Sequence, residues 1–330
     1  MWTYLIIIGL VLIAAIILIP IFKTIATIYP YSYPNARIRV MKSNLVTKEN
    51  FEELIKRPYN SIIYTLEKKA FPDLSKYLSG DFSYGSVDAA LRTNLINTLI
   101  KIKKISPNKE FTKRLLAKYE IMLIESIARS TSISVNYKQD LIHSTTLFSK
   151  EFLYKKEQTV DDLYNELKGT IYQKTFEKHI TKIRNKKFEE FEEDLDKLFY
   201  KRLLSVADQD QKKYVKLMID NANISLAFKK SKTRIPGGSI KNIPENIEEI
   251  KKIVQKKYKT QKTNINELEK ETQQKLRITG EKLMTKNPLS ESTIIGFIIL
   301  KTVNIRNINI LLKLKHEGYE ENEIRKVLAI

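Results

Sequence analysis

A ten-residue phrase occurs three times in this chain, and self-similarity of this kind limits the fold before any other feature does. It runs Glu120-Ile-Met-Leu-Ile-Glu-Ser-Ile-Ala-Arg129, then Asp220-Asn-Ala-Asn-Ile-Ser-Leu-Ala-Phe-Lys229, then Asn304-Ile-Arg-Asn-Ile-Asn-Ile-Leu-Leu-Lys313. Each copy opens on an acid or amide, carries Ile four places on (Ile124, Ile224, Ile308) and ends on Arg or Lys. The copies start 100 and 84 residues apart, which points to one helical unit used three times. On a helix the positions at zero, three, four and seven share a face. In the second copy these are Asp220, Asn223, Ile224 and Ala227, and in the third Asn304, Asn307, Ile308 and Leu311. The polar heads Glu120, Asp220, Asn223, Asn304 and Asn307 are therefore expected among apolar residues, where each must find a hydrogen-bond partner. The reading favoured for them is structural, as contacts between repeats. The terminal cations Arg129, Lys229 and Lys313 point the other way and are candidates for an anionic partner.

Composition supports an all-α chain. Gly and Pro number nine each, too few for a turn-rich β protein. There is no cysteine, which excludes disulfides, thiolate metal sites and cysteine nucleophiles. The formal charge of +20 calls for an acidic partner such as nucleic acid, anionic headgroups or an acidic protein surface. Trp2 to Phe22 is uncharged and, as a helix, would be roughly 31 Å long, close to a bilayer core of about 30 Å. It lacks the basic leader and small-residue cleavage site of a signal peptide, so an anchor is expected. Lys23, Arg37, Arg39 and Lys42 follow it, placing the remainder on the cytoplasmic side by the positive-inside rule.

Periodicity and breakers divide the rest. Pro30 and Pro34 suggest a linker over 24–34, with helical spacing from Asn35 onward. Short helices are expected over 48–79, a loop at 81–85, a strong helix over 87–106 ended by Pro107, and a further helix from Glu110. The Ser/Thr-rich stretch 130–150 reads as irregular. Helices follow near 159–168, 171–185 and 187–205, then the one carrying the second phrase, then the break Ile235-Pro-Gly-Gly238. Residues 245–258, 264–284 and 291–315 are helical, with a turn at Asn287-Pro288, a cap at His316-Glu-Gly318 and a last short helix. The apolar run Ile294–Leu300 is too short to span a membrane and reads as core.

No catalytic constellation emerges. Gly80 and Gly85 have phosphate-loop spacing, but Ser86-Val87 stands where Lys-Ser/Thr is needed. His143, His179 and His316 lack partners at metal-ligand intervals and read as surface or capping residues. Glu189, Glu190, Glu192, Glu193, Asp194 and Asp196 interleave with Phe188, Phe191, Leu195 and Leu198, the pattern of an amphipathic helix with a solvated acidic face. The basic groups at 182–187 and 251–259 suit phosphate backbones or headgroups but lack the aromatic interleaving of a base-stacking platform. No cofactor or metal is expected.

Tyr33-Pro-Asn-Ala-Arg-Ile-Arg-Val-Met-Lys-Ser-Asn-Leu45 resembles the opening signature of the C subunit of archaeal A-type ATP synthases, a family related to the d subunit of vacuolar-type ATPases. The likeness continues at Leu167-Lys-Gly-Thr-Ile-Tyr172, around Asp220, and from Asn287-Pro-Leu-Ser290 through Asn304 to Gly318 and Ile324-Arg325. The resemblance implies three similar helical bundles about a pseudo-threefold axis, forming a funnel, here preceded by one transmembrane helix. The boundaries then fall at 1–32 for anchor and linker, 33–139, 140–235 and 236–330. It also implies a non-catalytic rotor component, one copy per complex, that joins the proteolipid ring to the central shaft, with lipid contact through residues 2–22 and no nucleic acid. Asn304, Thr302 and Leu123 depart from the family pattern, which has acids at the first two positions and Asn at the third. A rotor part anchored in lipid outside the ring would strike the stator once per turn, so the apolar helix is expected in the lumen of the ring. A membrane-anchored basic module binding nucleic acid or anionic lipid is the alternative.

Overall fold

A computed structural model of the chain describes residues 2–71, 74, 83–130, 147–149, 152, 158–228, 235–239, 247–258, 265–286 and 289–330. Among these residues the ordered elements are helices and no strand occurs. In chain order they are α1 (Trp2–Lys42), α2 (Lys48–Ile55), α3 (Tyr59–Lys69), α4 (Tyr84–Ile105), α5 (Lys109–Ser130), α6 (Val160–Leu167) and α7 (Gln173–Arg184). They continue as α8 (Glu189–Val206), α9 (Gln209–Phe228), α10 (Ile247–Tyr258), α11 (Ile265–Lys286), α12 (Glu291–His316) and α13 (Glu321–Val327). The segments 81–82, 131–146, 240–246 and 287–288, and with them the loop, the Ser/Thr-rich stretch and the Asn-Pro turn read from sequence, fall wholly or partly outside the described residues.

Three helix pairs recur: α4 with α5, α8 with α9, and α11 with α12. The second helix of each pair opens on a short polar cap and carries the phrase. Asn108 accepts from Phe111 N–H at 3.2 Å, Asp208 from Gln211 N–H at 2.8 Å, and Ser290 from Ser292 N–H at 3.3 Å. Ser106, ahead of Pro107, is extended (ψ 132°) and ends α4, as the steric demand of a following proline dictates. The copies are not in one register. Glu120 and Asp220 each stand 12 residues beyond their caps, whereas Asn304 stands 14 beyond Ser290. Two residues rotate a helical side chain by about 200°. Thr302 occupies the equivalent position and turns its hydroxyl onto Ile298 O at 2.8 Å.

The central element is α12. It packs against α11, α4, α1, α13, α3 and α9, and its run from Glu291 to Lys301 is buried without interruption. It is long and apolar enough to cross a membrane but lies mostly inside the fold, the core role read for Ile294–Leu300. Its contact with α11 is close because two glycines face each other. A Cβ on Gly296 would fall 2.5 Å from Gly280 O and 2.8 Å from Met284 N. Its C-terminus is closed as expected at His316-Glu-Gly318. Gly318 takes φ +82°, with Gly318 N–H on Lys315 O (3.2 Å) and Tyr319 N–H on Leu314 O (2.9 Å), the two bonds of a Schellman motif.

The segment 24–34 is not a linker. Helix α1 runs through Pro20, Pro30 and Pro34 without a break to Lys42. Each proline removes one N–H from the ladder, yet the bonds on either side hold, so the cost is local and the helix persists. The change at Pro34 is one of burial. Before it, Ile16 (71 %), Ile19 (65 %), Phe22 (65 %) and Tyr29 (77 %) are exposed; from it onward Pro34, Asn35 and Ile38 are buried. The buried half of α1 lies along α12 in the same direction: Asn35 Nδ2 donates to Ser290 O (3.0 Å), and Val46 just beyond α1 meets Asn304.

Candidate functional site

The polar heads of the phrases hold main chain. Asn304 Nδ2 donates to Val46 O at 2.8 Å and its Oδ1 accepts from Val46 N–H at 3.3 Å. Asn223 makes the same two-way pairing with Ile235 (2.9 and 2.7 Å), and Asn307 with Ala329 (3.1 and 3.2 Å). A buried Asn can match one residue's donor and acceptor together, which is why the amide serves here where a carboxylate, lacking a donor, could not. Glu120 accepts instead from the Tyr172 hydroxyl at 2.8 Å. Burial first and the Glu120 charge second push the tyrosine hydroxyl well above its usual range. Asp220 is fully buried under the turn at 235–238. Gly237 there takes φ +97°, and a Cβ on Gly238 would fall 2.5 Å from Asp220 Oδ1. Glu120 and Asn304 thus join segments distant in sequence, while the bonds of Asn223 and Asn307 stay within their own segments.

Asn304 and Asn307 border a cavity of about 310 Å³ between the end of α1, the start of α2, α11 and the C-terminal residues Ala329 and Ile330. Arg277 and Glu281, paired at 2.7 Å, line it with Lys42 and Lys48. Among its described lining residues no nucleophile is hydrogen-bonded to a base. Among the described residues no group of three or more His, Asp or Glu converges as metal ligands.

The terminal cations differ in their surroundings. Arg129 is held inside the chain, its guanidinium donating to both Glu192 oxygens (2.5 and 2.7 Å) and lying 5.5 Å from the Phe188 ring centre. Lys313 is exposed and, among the described residues, pairs with Glu317 at 3.9 Å. Lys229 lies outside the described residues, as do Gly80, His143 and Lys259.

Two expectations about α7 and α8 are corrected. The acidic face of α8 is not simply solvated: Glu190 pairs with Lys182, Glu192 with Arg129, and Asp196 with Lys118. Asp194 gathers Lys178 (2.6 Å), His179 (2.9 Å) and Lys197 (2.9 Å). Burial alone would raise this carboxyl, but those three hydrogen bonds outweigh it and hold it well below the usual carboxylate range. His179 is accordingly a buried residue on the inner face of α7, not a surface one. His316 ends α12 between the rings of Tyr59 and Tyr84.

Sequence reading passed over three buried ionisable groups. Burial pushes the Glu125 carboxyl up to about 8 at the seam of α5 and α8. It pushes Glu291 up to about 7, although the Ser106 hydroxyl donates to that carboxylate at 3.1 Å. It lowers Lys301 to about 8. For Glu125 and Lys301 the sequence signal was a charge inside an apolar run, which amphipathic counting treats as noise, whereas Glu291 stands in a polar stretch and gave none.

The two signatures at 33–45 and 287–290, separate in sequence, touch through Asn35 and Ser290. Comparison with known proteins identifies the family. The family model described as ATP synthase (C/AC39) subunit matches residues 34–327. The C subunit of the A-type ATP synthase of Thermococcus onnurineus is 23 % identical over 333 residues, covering 91 % of this chain and 90 % of the relative. That of Methanococcoides burtonii is 26 % identical over 342 residues, covering 91 % and 94 %. That of Pyrococcus horikoshii is 29 % identical over 231 residues, covering 65 % and 60 %. With the model spanning nearly everything after the apolar half of α1, this chain belongs to the ATP synthase (C/AC39) subunit family.

Proposed function

We propose that this chain is the non-catalytic central-stalk component that joins the proteolipid ring to the central shaft of an A-type ATP synthase, in one copy per complex, during proton- or sodium-driven ATP synthesis. Family membership over 34–327 supports the complex. The observation that carries the placement is the apolar half of α1, where Ile16, Leu18, Ile19, Phe22, Ile25 and Tyr29 are exposed. In this reading residues 2–22 cross the membrane within the lumen of the ring, and the bulk of the chain stands on the cytoplasmic side. The three helix pairs belong to three bundles with boundaries near 33–139, 140–235 and 236–330, arranged as a funnel about the axis. The polar heads fix the bundles, and the exposed Lys313 faces a partner.

The test is assembly and crosslinking. The full chain should purify in stoichiometric complex with a proteolipid ring and a shaft protein. Cysteines placed singly at residues 5–18 should crosslink to lumen-facing ring positions. Crosslinks confined to the outer face of the ring, or purification free of any ring, would overturn the proposal. The alternative of a nucleic-acid module would instead show DNA affinity that falls steeply with salt.

A further inference from the structure

A second cavity, of about 200 Å³, lies between α1, α4 and α12 and has an unusual lining. Its charged residues among the described ones are Arg37 from α1, Lys101 from α4 and Lys301 from α12, and no described carboxylate lines it. Asn44, Asn94 and Thr98 supply its polar remainder. Lys301 is only 5 % exposed. Its ammonium sits 4.0 Å from the centre of the Phe71 ring, and no carboxylate pairs with it among the described residues. The described elements packed around it add no negative charge to the lining: the end of α3 contributes Ala70, and α12 itself contributes Phe297. Asn94 Oδ1 is buried and has no hydrogen-bond partner among the described residues.

Burying a cation without an anion costs several kcal/mol, and one aromatic face offsets on the order of 2. Folding two further cations onto the same cavity adds repulsion. An arrangement of this kind makes physical sense when an anion completes it. A guanidinium fork beside two ammonium groups suits a tetrahedral oxyanion, with bidentate bonds from Arg37 and point charges from the lysines. Rotation of the Asn94 amide would present N–H donors in place of its unsatisfied oxygen. The volume lies below the roughly 300–1,000 Å³ of sites that take drug-sized ligands, so an inorganic oxyanion fits where a whole nucleotide does not.

We infer that the cavity bounded by Arg37, Lys101 and Lys301 is a binding site for a soluble phosphate-type oxyanion, phosphate or pyrophosphate. The site ties α1 to α4 and α12 through the bound anion. A lipid phosphate is the other source of the same chemistry. On the reading of α1 as membrane-crossing, Arg37 stands about 22 Å along the helix beyond Phe22, whereas the headgroup layer is only about 5–8 Å deep on each side.

The experiment uses the full chain in detergent micelles, titrated calorimetrically with phosphate and pyrophosphate and melted with and without them. Wild type should bind pyrophosphate and gain several degrees in Tm. Lys301→Met and Arg37→Gln should each weaken binding at least tenfold, while Lys252→Gln, at an exposed position of α10, leaves it unchanged. Without anion, Lys301→Met should melt above wild type, since it removes the uncompensated buried charge. With sulfate, whose own charge is constant over the range, the gain in Tm should shrink as pH rises through and beyond about 8, where Lys301 loses its proton. Arg37 is exposed, so its variant reads out the site even if the core variant fails to fold. No binding by wild type, or equal binding by both variants, overturns the inference. So does protection by vesicles containing phosphatidic acid that soluble pyrophosphate neither mimics nor displaces.

Discussion

The seam between α11 and α12 offers the sharpest test of how this fold is held. Replacing Gly296 by Ala would place a methyl group 2.5 Å from Gly280 O, 2.7 Å from Met284 Cγ and 2.8 Å from Met284 N. Ordinary contact begins near 3.4 Å, so the helices must part by roughly 1 Å. Two of the three obstacles are main-chain atoms, so no rotamer change relieves them. The expected strain is at the upper end of overpacking, about 3 kcal/mol. Gly→Ala in a helix interior returns about 1 kcal/mol of propensity. The net loss is about 2 kcal/mol, or about 4 °C in Tm at roughly 2 °C per kcal/mol for a chain of this size. Gly280→Ala is the internal control. Its methyl would meet Gly296 O at 3.0 Å, Leu300 Cγ at 3.0 Å and Ile299 Cγ2 at 3.1 Å, and two of these can yield. Its strain and its gain in propensity should nearly cancel, to within about 1 kcal/mol. Thermal melts of both variants decide the matter. A Gly296→Ala protein that melts at or above wild type, or a Gly280→Ala protein that is the worse of the two, would refute the argument.

Asn304→Ala strips Val46 of both its partners and should cost about 2 kcal/mol by denaturant titration, tempered by water entering the adjoining cavity. Arg129→Ala should change stability by less than about 1 kcal/mol in the same assay, because its pair with Glu192 is half exposed. Glu291 gives a pH signature. Its folded pKa of about 7 lies above the ordinary glutamate value, so between about pH 4.5 and 7 the folded state holds the extra proton and stability falls as pH rises. Glu291→Gln keeps an acceptor for Ser106 and should flatten that slope, with a gain on the order of 2 kcal/mol above pH 7 in Tm-versus-pH measurements.

Much of the helical plan was legible in the sequence because local signals and tertiary packing agree over most of it. Pro107 ends α4 and Gly318 closes α12, both by backbone sterics that need no long-range information. Prolines misled at 30 and 34, where local steric reasoning predicts a break but the rest of the ladder in α1 survives. For Asn223, Asn304 and Asn307 the buried position was legible, since the face of a helix follows from its period. Their partners were not, because Val46 lies 258 residues from Asn304 and Ala329 lies 22 from Asn307. His179 looked like a surface residue because its partner, Asp194, sits on the next helix. The cavity around Lys301 was invisible for the same reason: each of its three cations is unremarkable on its own helix.

The position of α12 has a consequence for how the protein is made. Asn35 waits for Ser290, 255 residues later, and α3 and α4 also pack on the same late helix. At roughly 5–20 residues per second, ribosomal synthesis of that interval takes on the order of 13–50 s. During that time the apolar faces that α12 will cover have no partner in the nascent chain. A truncation before Glu291 would leave those faces bare for good, and it should appear in the cell as aggregated or degraded protein instead of a shorter functional one.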